Sequence, residues 1–265
     1  MTCHRHRIDD GRPEATASAC IGLCLGLLGL VACGDRAIAP DGEGGSTADS
    51  GSSDAPSPPD LGPDAVVCGE PGDVAATDED IALLEGCQVF QGLVDLWYPN
   101  VTDLSPLASL RVIREGLSSG SNNLHLETLD GLERLEWVGK FSFNADGVRD
   151  FSGVENLRDV EDYFGINGMP NLADLHGLEQ LRAVGGKLSL SGNAELTNLD
   201  GLSGLEWVGG ELYISGNDKL ASLDGLAALQ EVSGDVTIRL NPQLSPAELD
   251  AFVNRIEIGG DVRLE

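Results

Sequence analysis

Basic residues are scarce in this chain of 265 residues. It contains 16 lysines and arginines against 44 aspartates and glutamates, which gives a formal net charge of −28 at pH 7. An electrostatic field of that sign repels phosphate backbones and anionic lipid surfaces. The composition therefore argues against nucleic acid as a partner, and we expect most of the carboxylates to form a solvated surface.

Residues that carry enzyme chemistry are also few. Only two of the four histidines, His125 and His176, lie beyond the N-terminal segment. His176 falls in a repeated position otherwise held by aspartate or serine, which predicts a solvated corner. There is no phosphate-cradling glycine loop, nucleophile elbow or zinc-ligand spacing. We therefore expect no catalytic residue, metal site or cofactor, while weak calcium binding by the acidic turns stays open.

An uncharged apolar segment lies near the N-terminus. Residues 15–34 carry no charge, and "IGLCLGLLGLVAC" within them is followed at once by a Gly/Ser/Pro-rich run. This pattern is typical of a secretory leader, here residues 1–32. A single membrane-spanning anchor is the alternative, because about twenty uncharged residues could cross a bilayer.

The end of this segment, Leu30-Val31-Ala32-Cys33, resembles the lipobox of bacterial lipoproteins. The resemblance implies cleavage before Cys33 and acylation of that cysteine, and several acyl chains give stable membrane anchoring. Gly34 stands where an aspartate would retain such a protein in the inner membrane, which implies the outer membrane of a Gram-negative cell, on its periplasmic or its outer side. Residues 33–65 lack bulky apolar side chains and are predicted to form a disordered, acidic tether.

Two cysteines, Cys68 and Cys87, remain after the leader and the lipidation site are set aside. In an exported, oxidising setting we expect a disulfide between them, at the start of a folded domain that spans residues 66–265. A metal-binding pair is the alternative, but no histidine or further cysteine stands nearby to complete such a site.

A repeat of 24 residues dominates the folded domain. Three copies align without gaps and looser ones precede them, beginning at Val101, Leu126, Asp150, Leu172, Leu196 and Leu220. In one copy, apolar residues fall at every third position from Leu196 to Val208 and then at every second position, at Leu212 and Ile214. The first spacing excludes a long helix, since the side chains would spiral around it. The second spacing predicts a short strand.

Stacked copies of this unit predict an all-β fold: a leucine-rich, parallel β-helix-like solenoid of about six to seven coils. One slot holds glycine in five of the six copies, which predicts either a corner with positive φ or tight stacking of coils. This slot contains Gly131, Gly153, Gly177, Gly201 and Gly225. A second slot holds Asn193, Asn217 and Asn241, and predicts a ladder of hydrogen-bonded amides.

Short capping helices are expected at both ends of the solenoid. The capping box "SPAE", Ser245 to Glu248, predicts a helix near Pro246–Asn254, with Leu249, Phe252 and Val253 over the last coil. The segment "TDEDIALLEG" before Cys87 predicts a helix at the other end.

The opening "CQVFQGLVDL" from Cys87 and the recurring "L..L.GL..L..VGG.L.I.GN" resemble the receptor L domain. This leucine-rich β-solenoid occurs in the outer parts of insulin- and epidermal-growth-factor-type receptors and in many bacterial lipoproteins. The resemblance covers about Val66 to Glu265 and implies a module that binds a protein through an exposed sheet face. The motif defines no contact residue, and the chain lacks the cysteine-rich neighbours and the kinase of the receptors.

Four aromatic residues are candidates for a binding face. Trp137 and Trp207 share the slot before an inward valine and are expected to point outward, with Tyr163 and Tyr213 on the adjoining strand face. Partial burial against neighbouring coils is the alternative. We expect a lipid-anchored, non-catalytic envelope protein that binds a protein or a glycan. A carbohydrate-active β-helix enzyme and a purely architectural envelope protein are the other two hypotheses.

Overall fold

The computed structural model describes residues 55–97, 101–120, 126–144 and 147–265. The predicted leader, the lipidation site Cys33 and the first part of the tether lie outside the described residues. The described residues belong to one compact unit, Gly51–Glu265.

Short strands alternate along the chain between two sheets, and every neighbouring pair is parallel. In the described residues, sheet A holds nine strands: β1 (Val67–Cys68), β3 (Val89–Phe90), β5 (Val112–Ile113), β7 (Trp137–Val138), β9 (Asp159–Val160), β11 (Ala183–Val184), β13 (Trp207–Val208), β15 (Glu231–Val232) and β17 (Glu257–Ile258). Sheet B also holds nine: β2 (Val74–Ala75), β4 (Leu93–Asp95), β6 (Gly116–Ser119), β8 (Phe141–Phe143), β10 (Phe164–Asn167), β12 (Leu188–Ser191), β14 (Leu212–Ser215), β16 (Val236–Arg239) and β18 (Val262–Leu264).

The core is built from columns of side chains that repeat at the same place in successive coils. Leu190 is in register with Ile214, and Ile214 with Ile238, so these inward residues stack across β12, β14 and β16. The leucines of the three-residue rhythm, such as Leu199 and Leu202, are fully buried. The described chain is therefore mostly β, parallel and solenoid-like, as the repeat predicts.

The number of strands is larger than the repeats suggest. Each sheet contains nine strands in the described part of the chain, against an expectation of about six to seven coils from the repeats. Strands β1 to β4 precede the first recognisable copy, and β17 and β18 follow the last one. These end strands come from segments without the full leucine rhythm, which is why the sequence does not mark them.

Two α-helices occur in the described residues, one towards each end. Helix α1 (Asp78–Ala82) begins with a capping box in which Asp80 N donates to Thr77 Oγ1, 3.2 Å away. Helix α2 (Pro246–Val253) begins where Glu248 N donates to the Oγ of Ser245. Three single-turn 3₁₀ helices lie in the connections, at Ser105–Leu107, Asp200–Leu202 and Asp224–Leu226.

Both α-helices are present where the capping signals predict them, but neither lies beyond the last strands. Helix α1 connects β2 to β3, and α2 connects β16 to β17, so one further strand of each sheet follows α2. Phe252 of α2 is buried, and Leu249 and Val253 pack against the core, as expected. The helix therefore covers the core from within the last connection.

The repeated glycine slot is explained by close stacking of the backbone. A Cβ atom on Gly201 would collide with the carbonyl group of Leu175 in the preceding coil, and one on Gly225 with the carbonyl of Leu199. All five glycines of the slot meet backbone in this way. Positive φ is an additional reason only at the first three, Gly131, Gly153 and Gly177, with φ from 100° to 112°.

The asparagine slot forms a buried ladder, although most of its bonds go to the backbone. The Oδ1 of Asn217 accepts from Asn193 N at 3.1 Å, and the Oδ1 of Asn241 accepts from Asn217 N at 3.0 Å. The Nδ2 of Asn217 donates to the carbonyl of Leu190, and also to Asn241 Oδ1, which is the one amide-to-amide bond between these three side chains. The ladder thus saturates buried turn groups.

We predict that Gly201→Ala lowers the free energy of unfolding by more than about 2 kcal/mol, because the added methyl must push two coils apart. Gly216→Ala is the matched control. Gly216 has a φ of 68°, but a Cβ there meets nothing closer than 3.6 Å, so the cost is backbone strain of about 1 kcal/mol. Urea unfolding of both variants measures the difference, and equal losses would contradict coil stacking as the cause.

Candidate functional site

The predicted cysteine pair lies at the first coil. Cys68 and Cys87 are at disulfide distance, with Cα atoms 5.9 Å apart. The bridge encloses β2 and α1. It therefore ties the end strand β1 to the segment that leads into β3.

The four predicted aromatic residues do not form one patch. Trp137 and Trp207 lie in sheet A, whereas Tyr213 lies in sheet B and Tyr163 directly precedes strand β10 of that sheet. Each coil turns a corner between its two strands, so the tryptophans and the tyrosines face different sides of the solenoid. The expectation of one combined aromatic face is therefore corrected to two separate faces.

Trp137 is buried although it points away from the core. Its side chain is 1% exposed and forms a small outer cluster with Val89 and Val112, its neighbours in register along sheet A. Leu61 packs against this cluster. The guanidinium carbon of Arg114 lies 5.8 Å from the centre of the indole ring. Trp137 is thus not available as a surface residue, and the alternative of burial holds for it.

The segment that covers Trp137 belongs to the predicted tether. We call residues 56–61 the strap. A Cβ on Gly185, which follows β11, would lie 3.0 Å from Pro56 Cδ, while Leu61 at the other end of the strap contacts the cluster at β7. The strap therefore runs along the outer side of sheet A. Prolines lack the backbone N–H. The strap therefore has fewer hydrogen-bond donors that need a partner when it lies against the sheet.

Trp207 is partly exposed on the same sheet. Its Nε1 donates to Ser233 Oγ at 3.2 Å, and its ring lies over Gly209, where a Cβ would collide with it. Two coils separate Trp207 from Trp137, so the two indoles are not neighbours in sheet A.

The ring of Tyr163 lies over Gly165 on the outer side of sheet B. A Cβ on Gly165 would collide with the hydroxyl and two carbons of the Tyr163 ring, so the ring covers this glycine. The Nδ2 of Asn167 donates to the Tyr163 hydroxyl at 3.0 Å. The Oδ1 of Asn167 accepts from Ser189 Oγ and Ser191 Oγ, each at 2.8 Å. These bonds fix the amide and the phenol relative to each other.

Two cations flank the ring of Tyr213 on the outer side of sheet B. Lys187 Nζ lies 4.6 Å from the centre of the ring, and Arg239 Cζ lies 5.6 Å from it. Arg239 also donates to the Tyr213 hydroxyl at 2.8 Å. Hydrogen bonds from Ser215 and then Arg239 lower the pKa of the phenol. Lys187 Nζ also forms an ion pair with Glu211 Oε2, 2.8 Å away.

Trp97 is a surface aromatic residue that the repeat pattern misses. It follows β4, its side chain is 46% exposed, and its ring lies over Gly120, where a Cβ would collide with three ring atoms. Gly120 directly follows β6 of sheet B. The residue lies outside the recognisable copies, and the only signal for it was the alternation in "LVDLW".

His176 shows the geometry of a corner residue. It is exposed, and its Nδ1 lies 2.8 Å from Glu179 Oε1. The hydrogen bond and the charge of Glu179 raise the pKa of the imidazole. Its exposure and its pairing with Glu179 fit the expected solvated corner.

The shallow hollows of the described surface include two that differ in their lining. The first, at the corner between the sheets, is lined by Arg114, Glu115, Gly139, Lys140, Glu161 and Asp162. The second, at the C-terminal end, is mainly apolar and includes Leu240, Leu244 and Leu249. In the first hollow the carboxylates alternate with cations, and Lys140 Nζ lies 3.5 Å from Asp162 Oδ2.

Within the described ranges, no group of three or more His, Cys, Asp or Glu side chains converges as a metal site requires. No helix in those ranges has the length and the apolar character that crossing a bilayer demands.

The described residues form a parallel, solenoid-like β protein. The strap covers part of the outer side of sheet A, whereas in this part of the chain the outer side of sheet B is uncovered. Comparison with protein-family models, with curated protein sequences and with solved structures finds no match to the chain. The resemblances to the receptor L domain and to lipoproteins therefore stay predictions from the sequence.

We predict that Leu61→Ala increases the solvent access of Trp137. The measurement is acrylamide quenching of fluorescence in a Trp97→Phe, Trp207→Phe background, which leaves Trp137 as the sole tryptophan of the three. Removing the leucine side chain uncovers the indole, so the quenching constant should rise at least about twofold. The control is Leu83→Ala, since Leu83 is 60% exposed. Unchanged quenching in Leu61→Ala would show that the strap does not protect the ring.

Proposed function

We propose that this chain is a lipid-anchored, non-catalytic recognition module of the cell envelope, which binds a protein or a glycan through the outer side of sheet B. The observation that carries the proposal is the arrangement around Tyr163 and Tyr213. Two aromatic rings are held on an open sheet face, beside polar groups that are already fixed by hydrogen bonds. Preorganised groups of this kind reduce the ordering cost of binding.

The two sheets differ as surfaces for a ligand. Central strands of sheet B, such as β10, β12 and β14, have four residues each, while those of sheet A have two. Part of the outer side of sheet A is already covered by the strap. Sheet B therefore offers the broader uncovered face, which favours it as the recognition surface.

One cation of sheet B is held in a directional position. The chain as a whole carries −28 charges, and on this face Lys187 pairs with Glu211, while Arg263 of β18 pairs with Asp235 and Asp261. Arg239 donates to the Tyr213 hydroxyl at 2.8 Å, and the charge of Glu265 also acts on its guanidinium. An exposed guanidinium held in one place is a strong, directional donor for a partner.

The asparagine ladder argues for a structural rather than a catalytic use of the buried polar residues. Asn193 and Asn217 are fully buried, and their amides bond to the backbone of neighbouring coils. The exposed His176 is paired with Glu179. Such groups stabilise turns and corners, and this supports a module that presents a surface.

We predict that Tyr163→Ala with Tyr213→Ala weakens binding of the labelled full chain to isolated cell-envelope fractions at least about tenfold, because two buried ring contacts are lost. The control is Trp207→Ala, which removes an aromatic residue from the other sheet and should leave binding within about twofold. Circular dichroism should show all variants folded. Two outcomes would contradict recognition by the outer side of sheet B: saturable binding that is lost in Trp207→Ala, and saturable binding that is unchanged when both tyrosines are replaced.

The anchor is tested separately. We predict that Cys33→Ala abolishes labelling by a palmitate analogue, because Cys33 would be the acylated residue. Cys24→Ala is the matched control, since it changes a nearby cysteine of the same apolar segment. A Cys33→Ala chain that is still labelled would contradict Cys33 as the acylated residue.

A further inference from the structure

Aromatic rings recur along sheet B at every second strand. The Trp97 ring lies over Gly120, at the level of β6, the Tyr163 ring lies over Gly165 of β10, and Tyr213 belongs to β14. Neighbouring strands lie about 4.8 Å apart, so successive rings are separated along the stack by roughly 10 Å. The strands between them, β8 and β12, carry small polar residues outward, such as Ser142 and Ser189.

Two of these rings, those of Trp97 and Tyr163, lie over glycines of the sheet. A Cβ on Gly120 or on Gly165 would collide with several atoms of the ring above it, so each glycine makes room for a ring that lies against the backbone. Trp97 is 46% exposed and Tyr163 is half-buried, so part of each ring stays open to solvent. A solvent-facing π surface with fixed orientation is a platform for stacking.

Hydrogen-bonding groups fill the space between the platforms. From Tyr163, the chain of bonds runs through Asn167 to Ser189 and Ser191. Across one more strand, the Tyr213 hydroxyl meets Arg239. Each hydroxyl and amide here is held by a neighbour, so a ligand meets donors and acceptors in set positions.

We propose that this face binds an extended, uncharged, β-linked polysaccharide that runs across the strands, with one pyranose ring on Tyr163 and another beside Tyr213, where Lys187 over the ring and Arg239 at its hydroxyl donate to the sugar hydroxyls. The proposal rests on the proposed function and names its ligand. A pyranose presents C–H groups on its faces, which suit the electron-rich face of an aromatic ring, and hydroxyls at its rim, which suit amides, serines and arginine.

Three observations favour this ligand over a protein or an anionic polymer. The surface between the rings includes the small polar residues Ser142 and Ser191, with Ser189 buried beneath, and hydroxyls of this kind suit the rim of a sugar ring. The net charge of −28 repels polyanions. The ring spacing of two strands, roughly 10 Å, is close to one disaccharide unit of an extended β-linked chain.

The test is calorimetric titration of the full chain with cellohexaose and chitohexaose, each compared with its disaccharide. We expect at least one hexasaccharide to bind at least about tenfold more tightly than its disaccharide, because it spans two rings, with an affinity nearly constant between about 0.05 and 0.5 M NaCl. Tyr163→Ala and Tyr213→Ala should each weaken binding about tenfold, equivalent to about 1.4 kcal/mol.

Conservative variants separate stacking from folding. Tyr163→Phe and Tyr213→Phe keep the ring and should retain affinity within about threefold, while Trp207→Ala on sheet A should change nothing. Failure of both hexasaccharides to bind at millimolar concentration would overturn the polysaccharide. Envelope binding that still needs the two tyrosines would then leave the proposed function standing with a protein ligand. Equal affinity for hexasaccharide and disaccharide would also overturn the extended mode.

Discussion

The structure depends on one constraint: each coil must return to the same register on the coil before it. Leu188 N donates to the carbonyl of Glu211, and 24 residues later Leu212 N donates to the carbonyl of Asp235. The backbones must approach closely for these ladders to form, and the glycine slot that includes Gly201 removes the Cβ that would hold them apart. Register then dictates that equivalent side chains stack in columns, inside and outside alike.

Much of the interior could be predicted from the sequence. Because the coils stack in register, a residue that recurs in each copy of the repeat forms a column of side chains in the structure. The leucine rhythm, the glycine and asparagine slots and the "SPAE" cap each stand in a fixed relation to the repeat, so their roles were predictable. The choice between positive φ and tight stacking was not, because a sequence does not show which backbone lies opposite Gly201. The strands that follow α2 were missed for a related reason. The residues of β17 and β18 carry only a weak pattern, and these segments become strands because they pair with β15 and β16.

The outer surfaces were harder to predict, because they depend on contacts that the repeat does not encode. Trp137 and Trp207 share a slot, yet the first is buried and the second partly exposed, since Leu61 reaches only the first. The strap is rich in proline and polar residues, and composition alone describes it as a tether. Tyr213 and Trp207 are six positions apart but lie on different sheets, because the coil turns its corner at Gly209 and Gly210.

Gly165 links the requirements of the fold to those of the surface. Its φ lies outside the left-handed region, so the backbone conformation does not demand glycine, and glycine weakens the interior of a strand. The positions in register with it hold serine, namely Ser142 and Ser189. What requires the missing side chain is the ring of Tyr163, which could not lie on the sheet above a Cβ. Glycine at this position lowers the local stability of the strand but allows the Tyr163 ring to lie on the outer surface. Such a trade of stability for a surface feature is expected at a ligand-binding site.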